Sequence, residues 1–376
     1  MNPPHKPASP CFGSGPTVKF PGWSFKTLEN ALISRSHRSA PSLERLEESL
    51  TLTRQVLEIP DTHQIFFVPG SATGAVETAM WSFLGTRPVE ALAWDVFGYR
   101  WQLVLEEALN IPGQVLTGSS HAPMPDLTNV DFDKDVLFTW NGSTSGMCVP
   151  DGDWIPGGRK GLTLCDATSA AYCMALAWDK LDITAFSWQK GLGGEANQGV
   201  LVLGPRAVAH LETHAPVWPT PFHMSLRREG AFHKGLSQGW TLNTPSMLCV
   251  EDCLQGHRWA MEGGRLEGLL GRVGRNKAHM DQWIASQDIF AYSVQDPQVR
   301  AYSTLCIKLT RESDDPWGEL RKITALLAEE NVAFDILNHA QGDPCLRVWC
   351  GPTRETDDLV CLTTWLSWAA KEVLTL

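Results

Sequence analysis

The sequence predicts an α/β fold, with a mostly parallel sheet flanked by helices and a smaller α+β unit after it. Two observations carry this reading. Apolar runs of strand length alternate with helical patterns over the first two-thirds of the 376 residues, which suits a parallel sheet covered on both faces. The pattern then changes: one long helical stretch leads into strands and helices with a separate core. The first strand is expected at 65–68 and runs through Pro69-Gly70-Ser71-Ala72-Thr73-Gly74 into a helix over 75–84. A strand at 91–94 precedes a helix over 100–109, and further strands fall at 136–140, 162–165, 183–188 and 200–203. Residues 246–284 read as helical and bridge to the second unit. There, strands are expected at 290–294, 304–309, 334–337 and 346–350, with helices over 316–330 and 355–374. The first of these helices follows Asp315 as N-cap, with Pro316 in the first helical position and Leu320, Ile323 and Leu327 on one face. The expected division is a large domain over 1–265, including the N-terminal segment, and a small domain over 266–376.

Composition narrows the function. Apolar content of 43% and charged content of 19% fit a chain with a full core. A net charge of -11 and the absence of a basic run argue against nucleic acid. No stretch approaches the roughly 18 apolar residues of a membrane span. The first residues lack an apolar h-region, and ten cysteines are scattered without a frame, so a cytoplasmic protein with reduced thiols is expected. No His or Cys grouping has zinc spacing, so no metal is expected.

The chemistry gathers at predicted strand ends, where ligands collect in open α/β sheets. The turn Gly70-Ser71-Ala72-Thr73 opens a helix after a strand. Its free N–H groups and the helix dipole favour a phosphate. Asp166 ends the strand before Ala167-Thr168-Ser169, and a buried carboxylate there would keep a pyridine nitrogen protonated. Lys190 follows Ser187-Trp188-Gln189 and enters a glycine-rich turn, a placement suited to a Schiff base with an aldehyde cofactor. A phosphate cradle, a carboxylate and an amine are the fixtures that pyridoxal 5′-phosphate needs. Gln189 is a candidate for the ring hydroxyl, Trp101 for stacking on the ring, and Ser143 for the ring or phosphate. Trp101 reads equally well as a packed core aromatic. Arg35, Arg38 and Arg347 are the candidate anion-binding arginines, because a guanidinium matches a carboxylate or phosphate with two parallel bonds.

Taken together, Gly13-Ser14-Gly15-Pro16, Ser36-His37-Arg38-Ser39, the turn at 70–75, Asp166-Ala167-Thr168-Ser169, Trp188-Gln189-Lys190 and Leu242-Asn243-Thr244-Pro245 resemble the phosphoserine aminotransferases. These are class V aminotransferases of the fold-type-I pyridoxal-phosphate enzymes. The resemblance runs over most of the chain. It implies a homodimer with shared active sites, in which Lys190 holds the cofactor and Asp166 meets the pyridine nitrogen. It also implies that Asn243 and Thr244 reach the cofactor phosphate from the neighbouring subunit. Arg347 is implied to grip the substrate α-carboxylate, and His37 and Arg38 to meet its distal phosphate. One departure stands out: the family's second phosphate-pocket arginine is replaced by Ala340, with His339 beside it as the candidate substitute.

The resemblance implies transfer of an amino group between glutamate and 3-phosphohydroxypyruvate, serving serine biosynthesis and also pyridoxine biosynthesis in some relatives. Ala340 leaves open a related aminotransferase acting on another small acidic substrate, with a sulfonate, phosphonate or carboxylate side chain. A desulfurase using Cys345 or Cys350, and a non-catalytic cofactor-binding regulator, are the remaining alternatives.

Overall fold

A computed structural model describes residues 2–111, 113–118 and 124–374. After helix α1 (Ala40–Leu57), strand β1 (Gln64–Pro69) turns directly into α2 (Ser71–Phe83). Strand β2 (Val89–Leu92) leads to α3 (Val96–Leu103), and strands β3 (Gly113–Leu116), β4 (Asp135–Thr139), β5 (Thr163–Asp166), β6 (Ile183–Phe186) and β7 (Gln198–Leu203) complete one seven-stranded sheet. Its order is β1-β7-β6-β5-β4-β2-β3. Strands β2 to β6 pair in parallel, while β7 is antiparallel to both β1 and β6. Strand β1 therefore runs in the same sense as β6, and six strands send their C-terminal ends to one edge.

The sheet is buried on both faces. Along β1, Ile65 and Phe67 join one core cluster and Phe66 and Val68 the other, as the two-residue period of a strand requires. Helix α2 packs against β7, β6 and β1. Gly199 in β7 allows this close approach: a Cβ there would lie 2.3 Å from Ser71 O and 2.6 Å from Ala75 Cβ.

Helix α4 (Pro205–Thr213) covers the sheet, and the long helical stretch is two helices, α5 (Met247–Glu262) and α6 (Arg265–Ala285). They part at Gly263-Gly264, where Gly264 caps α6 with φ 95°, a conformation glycine adopts without a Cβ clash. Helix α3 likewise ends early, in a π-helical turn at Val104–Ala108.

The C-terminal unit holds β8 (Phe290–Tyr292), β9 (Thr304–Leu309) and β10 (Leu346–Trp349) in one antiparallel sheet, backed by α7 (Pro316–Glu329) and α8 (Thr356–Leu374). Asp315 caps α7 by accepting from Gly318 N at 2.8 Å. The strand expected at 334–337 is not formed; Phe334 and Leu337 make only isolated bridges, to Cys11 and Leu346. The N-terminal segment also departs from expectation. Phe12 lies in the C-terminal core rather than the large one. Trp365 Nε1 donates to His5 O at 2.8 Å, and Arg354 donates to Ser9 O and Cys11 O.

Replacing Gly199 with alanine should force the α2 turn away from β7. Overpacking of this kind costs about 1–3 kcal/mol. Urea unfolding should show a lower midpoint with an unchanged slope.

Candidate active site

Seven of the residues singled out in the sequence line one cleft at the C-terminal strand edge: Ala72, Thr73, Trp101, Ser143, Asp166, Gln189 and Lys190. The space between these walls is about 430 Å³, open to solvent. Asp95, Phe97, Thr139, Asn141, Thr168 and Ser169 complete the lining.

The anion end is the first turn of α2. Gly74 N bonds Gly70 O at 2.8 Å and Ser71 N bonds Asn197 O at 2.9 Å. This leaves the amides of Ala72 and Thr73 without an intrahelical acceptor, facing the cleft at the positive end of the helix.

Asp166 is the last residue of β5. Trp101 Nε1 donates to its Oδ2 at 3.0 Å, and Thr168 N donates to its Oδ1 at 3.0 Å. The Thr168 hydroxyl donates to the same Oδ1 at 2.5 Å. Three donors thus hold the carboxylate in place. Trp101 is spent on this contact. The ring that lies 5.9 Å from Lys190 Nζ, centroid to nitrogen, is that of Phe97.

Lys190 leaves the turn after β6 and is 6% exposed, with Nζ donating to Ser143 Oγ at 3.2 Å. The N-terminal segment closes over it: Thr17 Oγ1 donates to Lys190 O at 2.7 Å, and a Cβ at Gly15 would stand 3.2 Å from Lys190 Cε. Burial first and the Arg347 charge second lower its pKa from 10.5 to about 8, against the opposing pull of Asp166 and Asp95.

Asp95 was not singled out in the sequence. It follows β2 and caps α3, its Oδ1 accepting from Gly98 N at 2.8 Å. Its Oδ2 has no partner in the protein. Burial pushes its carboxyl up to about 6, and the charge of Asp166 adds to the rise. The available clue was position, since an acidic residue just past an apolar strand is where Asp166 also stands.

Arg347 on β10 is buried at the seam between the two units. Its Nε donates to Ser143 O at 2.8 Å and its Nη2 donates to Ser14 Oγ. His339 packs edge-on against Phe97, with ring centroids 6.1 Å apart. The other predicted residues stand apart from this cleft. His37 is buried and Arg38 exposed just before α1, and His37 Nε2 has no partner. Asn243 Oδ1 accepts from Gln198 Nε2 at 3.0 Å, and Thr244 is exposed. Among the described residues no group of three or more His, Cys, Asp or Glu side chains is arranged to hold a metal ion, and no helix is long and apolar enough to cross a membrane.

Comparison with known proteins gives a consistent picture. No protein-family model matches the chain. It is 42% identical over 369 residues to a phosphoserine aminotransferase of Methanosarcina mazei, covering 98% of this chain and 99% of that one. It is 41% identical over 369 residues to the same enzyme of Methanosarcina barkeri, with the same coverage. Among solved structures, the pyridoxal-phosphate-bound phosphoserine aminotransferase of Trichomonas vaginalis superposes with a TM-score of 0.76 at 16% identity, over 96% of this chain and 99% of that one.

Titration of the cleft should be visible directly. Covalent loading of aldehyde cofactor onto stripped protein needs the neutral amine, so its rate should rise with pH through a midpoint near 8. Arg347→Gln removes a repelling charge and should move that midpoint up. Asp95→Asn removes an attracting one and should move it down. Stopped-flow absorbance measures both shifts.

Proposed function

The chain belongs to the phosphoserine aminotransferase family, and on that premise we propose that it exchanges an amino group between glutamate and 3-phosphohydroxypyruvate with pyridoxal 5′-phosphate as cofactor. One observation carries the proposal: the buried Lys190 amine shares a cleft with an anchored Asp166 and the open amides of α2.

The cleft fits the cofactor. Gln189 Oε1, Asn141 Oδ1 and Thr139 Oγ1 are buried there with no partner among the described residues, and such atoms call for a ligand. Lys190 would hold the aldehyde carbon, Asp166 the pyridine nitrogen, and the turn at Ser71, Ala72 and Thr73 the phosphate. Ser143 and Gln189 would meet the ring substituents. When bound, the cofactor supplies the electron sink that lets the substrate's α-carbon lose a proton.

The chain's own residues do the rest. Arg347 offers its planar fork to the substrate α-carboxylate, which sets the α-carbon before Lys190. Lys190, once its amine is free, would take the α-proton and deliver it again. A pKa held near 8 suits that exchange at neutral pH. Asp166 would face the ring nitrogen from a position fixed by three donors. The bound cofactor would carry the amino group from glutamate to the keto acid, and the same residues would then act in reverse order.

The protein works as a cytoplasmic homodimer. His37, Arg38, Asn243 and Thr244 stand off the cleft of their own chain, which motivates assigning them to the partner's cleft. There Asn243 and Thr244 would meet the cofactor phosphate, and His37 and Arg38 the substrate's distal phosphate. The product feeds serine biosynthesis, and the same site would serve pyridoxine biosynthesis. Two relatives above 40% identity bear the phosphoserine aminotransferase name, which disfavours the alternative of another acidic substrate.

Lys190→Ala should abolish turnover and the bound-cofactor absorbance together. Borohydride treatment of cofactor-saturated native protein should leave a pyridoxyl group on the Lys190 peptide by mass spectrometry, and its absence would end the proposal. Glutamate alone should convert the cofactor absorbance to that of its amine form. If the sites are shared, mixing inactive Lys190→Ala and Arg38→Ala protomers should restore activity, because mixed dimers contain one intact site.

A further inference from the structure

Within one chain, the substrate's distal anion has no arginine at position 340, where alanine stands on the loop before β10. A different arginine stands beside a ring that lines the cleft. The Arg100 guanidinium carbon lies 5.4 Å from the centroid of the Phe97 ring. Lys190 Nζ lies 5.9 Å from that centroid, and the His339 ring stands 6.1 Å away at 87°. Phe97 itself lines the cleft. Three nitrogen-bearing side chains thus surround one ring at the cleft's rim.

The placement is built rather than accidental. Asn338 Nδ2 donates to Thr144 O at 3.0 Å and to Asp343 O at 2.9 Å, and its Oδ1 accepts from His339 N at 2.9 Å. The loop is therefore pinned to the turn that presents Ser143. Among the described residues no carboxylate lies within ion-pair distance of Arg100. A guanidinium stacked on an aromatic face keeps its N–H edge free for an oxyanion. His339 feels Arg347, Lys190 and Arg100 together, and with burial they hold its pKa below the ordinary value. That is the field of a pocket awaiting an anion.

We propose that Arg100 and His339 cradle the distal phosphate of the substrate from within the chain, Arg100 supplying the guanidinium that position 340 lacks. The inference rests on the aminotransferase reading and names its substrate-selecting residues. Lys190 Nζ at 5.9 Å and the Arg100 guanidinium carbon at 5.4 Å share the Phe97 ring as a neighbour, which joins the proposed anion site to the amine.

The test compares Arg100→Gln, His339→Gln and the double variant with native holoenzyme. Cofactor absorbance transients give the rate constant per concentration for O-phospho-L-serine and for L-alanine, which has no distal charge. Each substitution should cut the preference for phosphoserine over alanine about tenfold, the size expected for one lost charge-assisted contact. Calorimetric binding of 3-phosphoglycerate, which carries neither amine nor ketone, should weaken in parallel. An unchanged preference together with unchanged 3-phosphoglycerate binding in the double variant overturns the proposal. A native protein whose cofactor responds to neither glutamate nor phosphoserine would instead overturn the aminotransferase reading beneath it.

Discussion

A lysine amine buried with two carboxylates and a guanidinium nearby is the constraint on which this structure depends. Withdrawing an ammonium from water is costly, so burial pushes Lys190 toward its neutral form, and Arg347 pushes the same way. Asp166 and Asp95 pull back, and the pKa comes to rest at about 8. Removing the guanidinium would raise that value, and removing a carboxylate would lower it. The cleft holds its lysine where it can both bond a carbonyl carbon and carry a proton.

That balance requires immobile charges. Asp166 is held by the Trp101 indole and twice by Thr168, and Asp95 by the amide of Gly98. Asp166 ends β5 and Asp95 follows β2, and the order β5-β4-β2 sets those strands on either side of β4. The antiparallel strand β7 has a different task. It lies beside β1, and its Gly199 lets the first turn of α2 settle close enough to offer amides to the same cleft.

The C-terminal unit closes the site by hydrogen bonds to one short segment, residues 141–146. Arg347 reaches Ser143 O, Asn338 reaches Thr144 O, and Ala301 N reaches Gly146 O at 2.8 Å. Ser303 Oγ donates to Ser169 O at 2.7 Å on the adjoining loop. Arg347, the candidate arginine for the substrate carboxylate, therefore comes from one unit, and the cofactor candidates Asp166 and Lys190 come from the other. Any shift between the units changes the distance between the two sets.

The sequence alone determined the α/β alternation, the capped start of α7, and the phosphate turn, Asp166 and Lys190, because each is a local pattern at a strand end. It also placed Arg347 among apolar neighbours, where a charge must have a purpose. It did not reveal Asp95 and Phe97, which fall between the strand expected at 91–94 and the helix expected at 100–109, or Arg100, which opens that helix. Their roles follow from sheet order, which sets strands from distant parts of the chain next to one another. Trp101 finds Asp166 across 65 residues, and Phe12 enters a core built almost wholly from the other end of the chain. Such pairings are decided by the total apolar surface buried when units dock, a quantity that no local window contains.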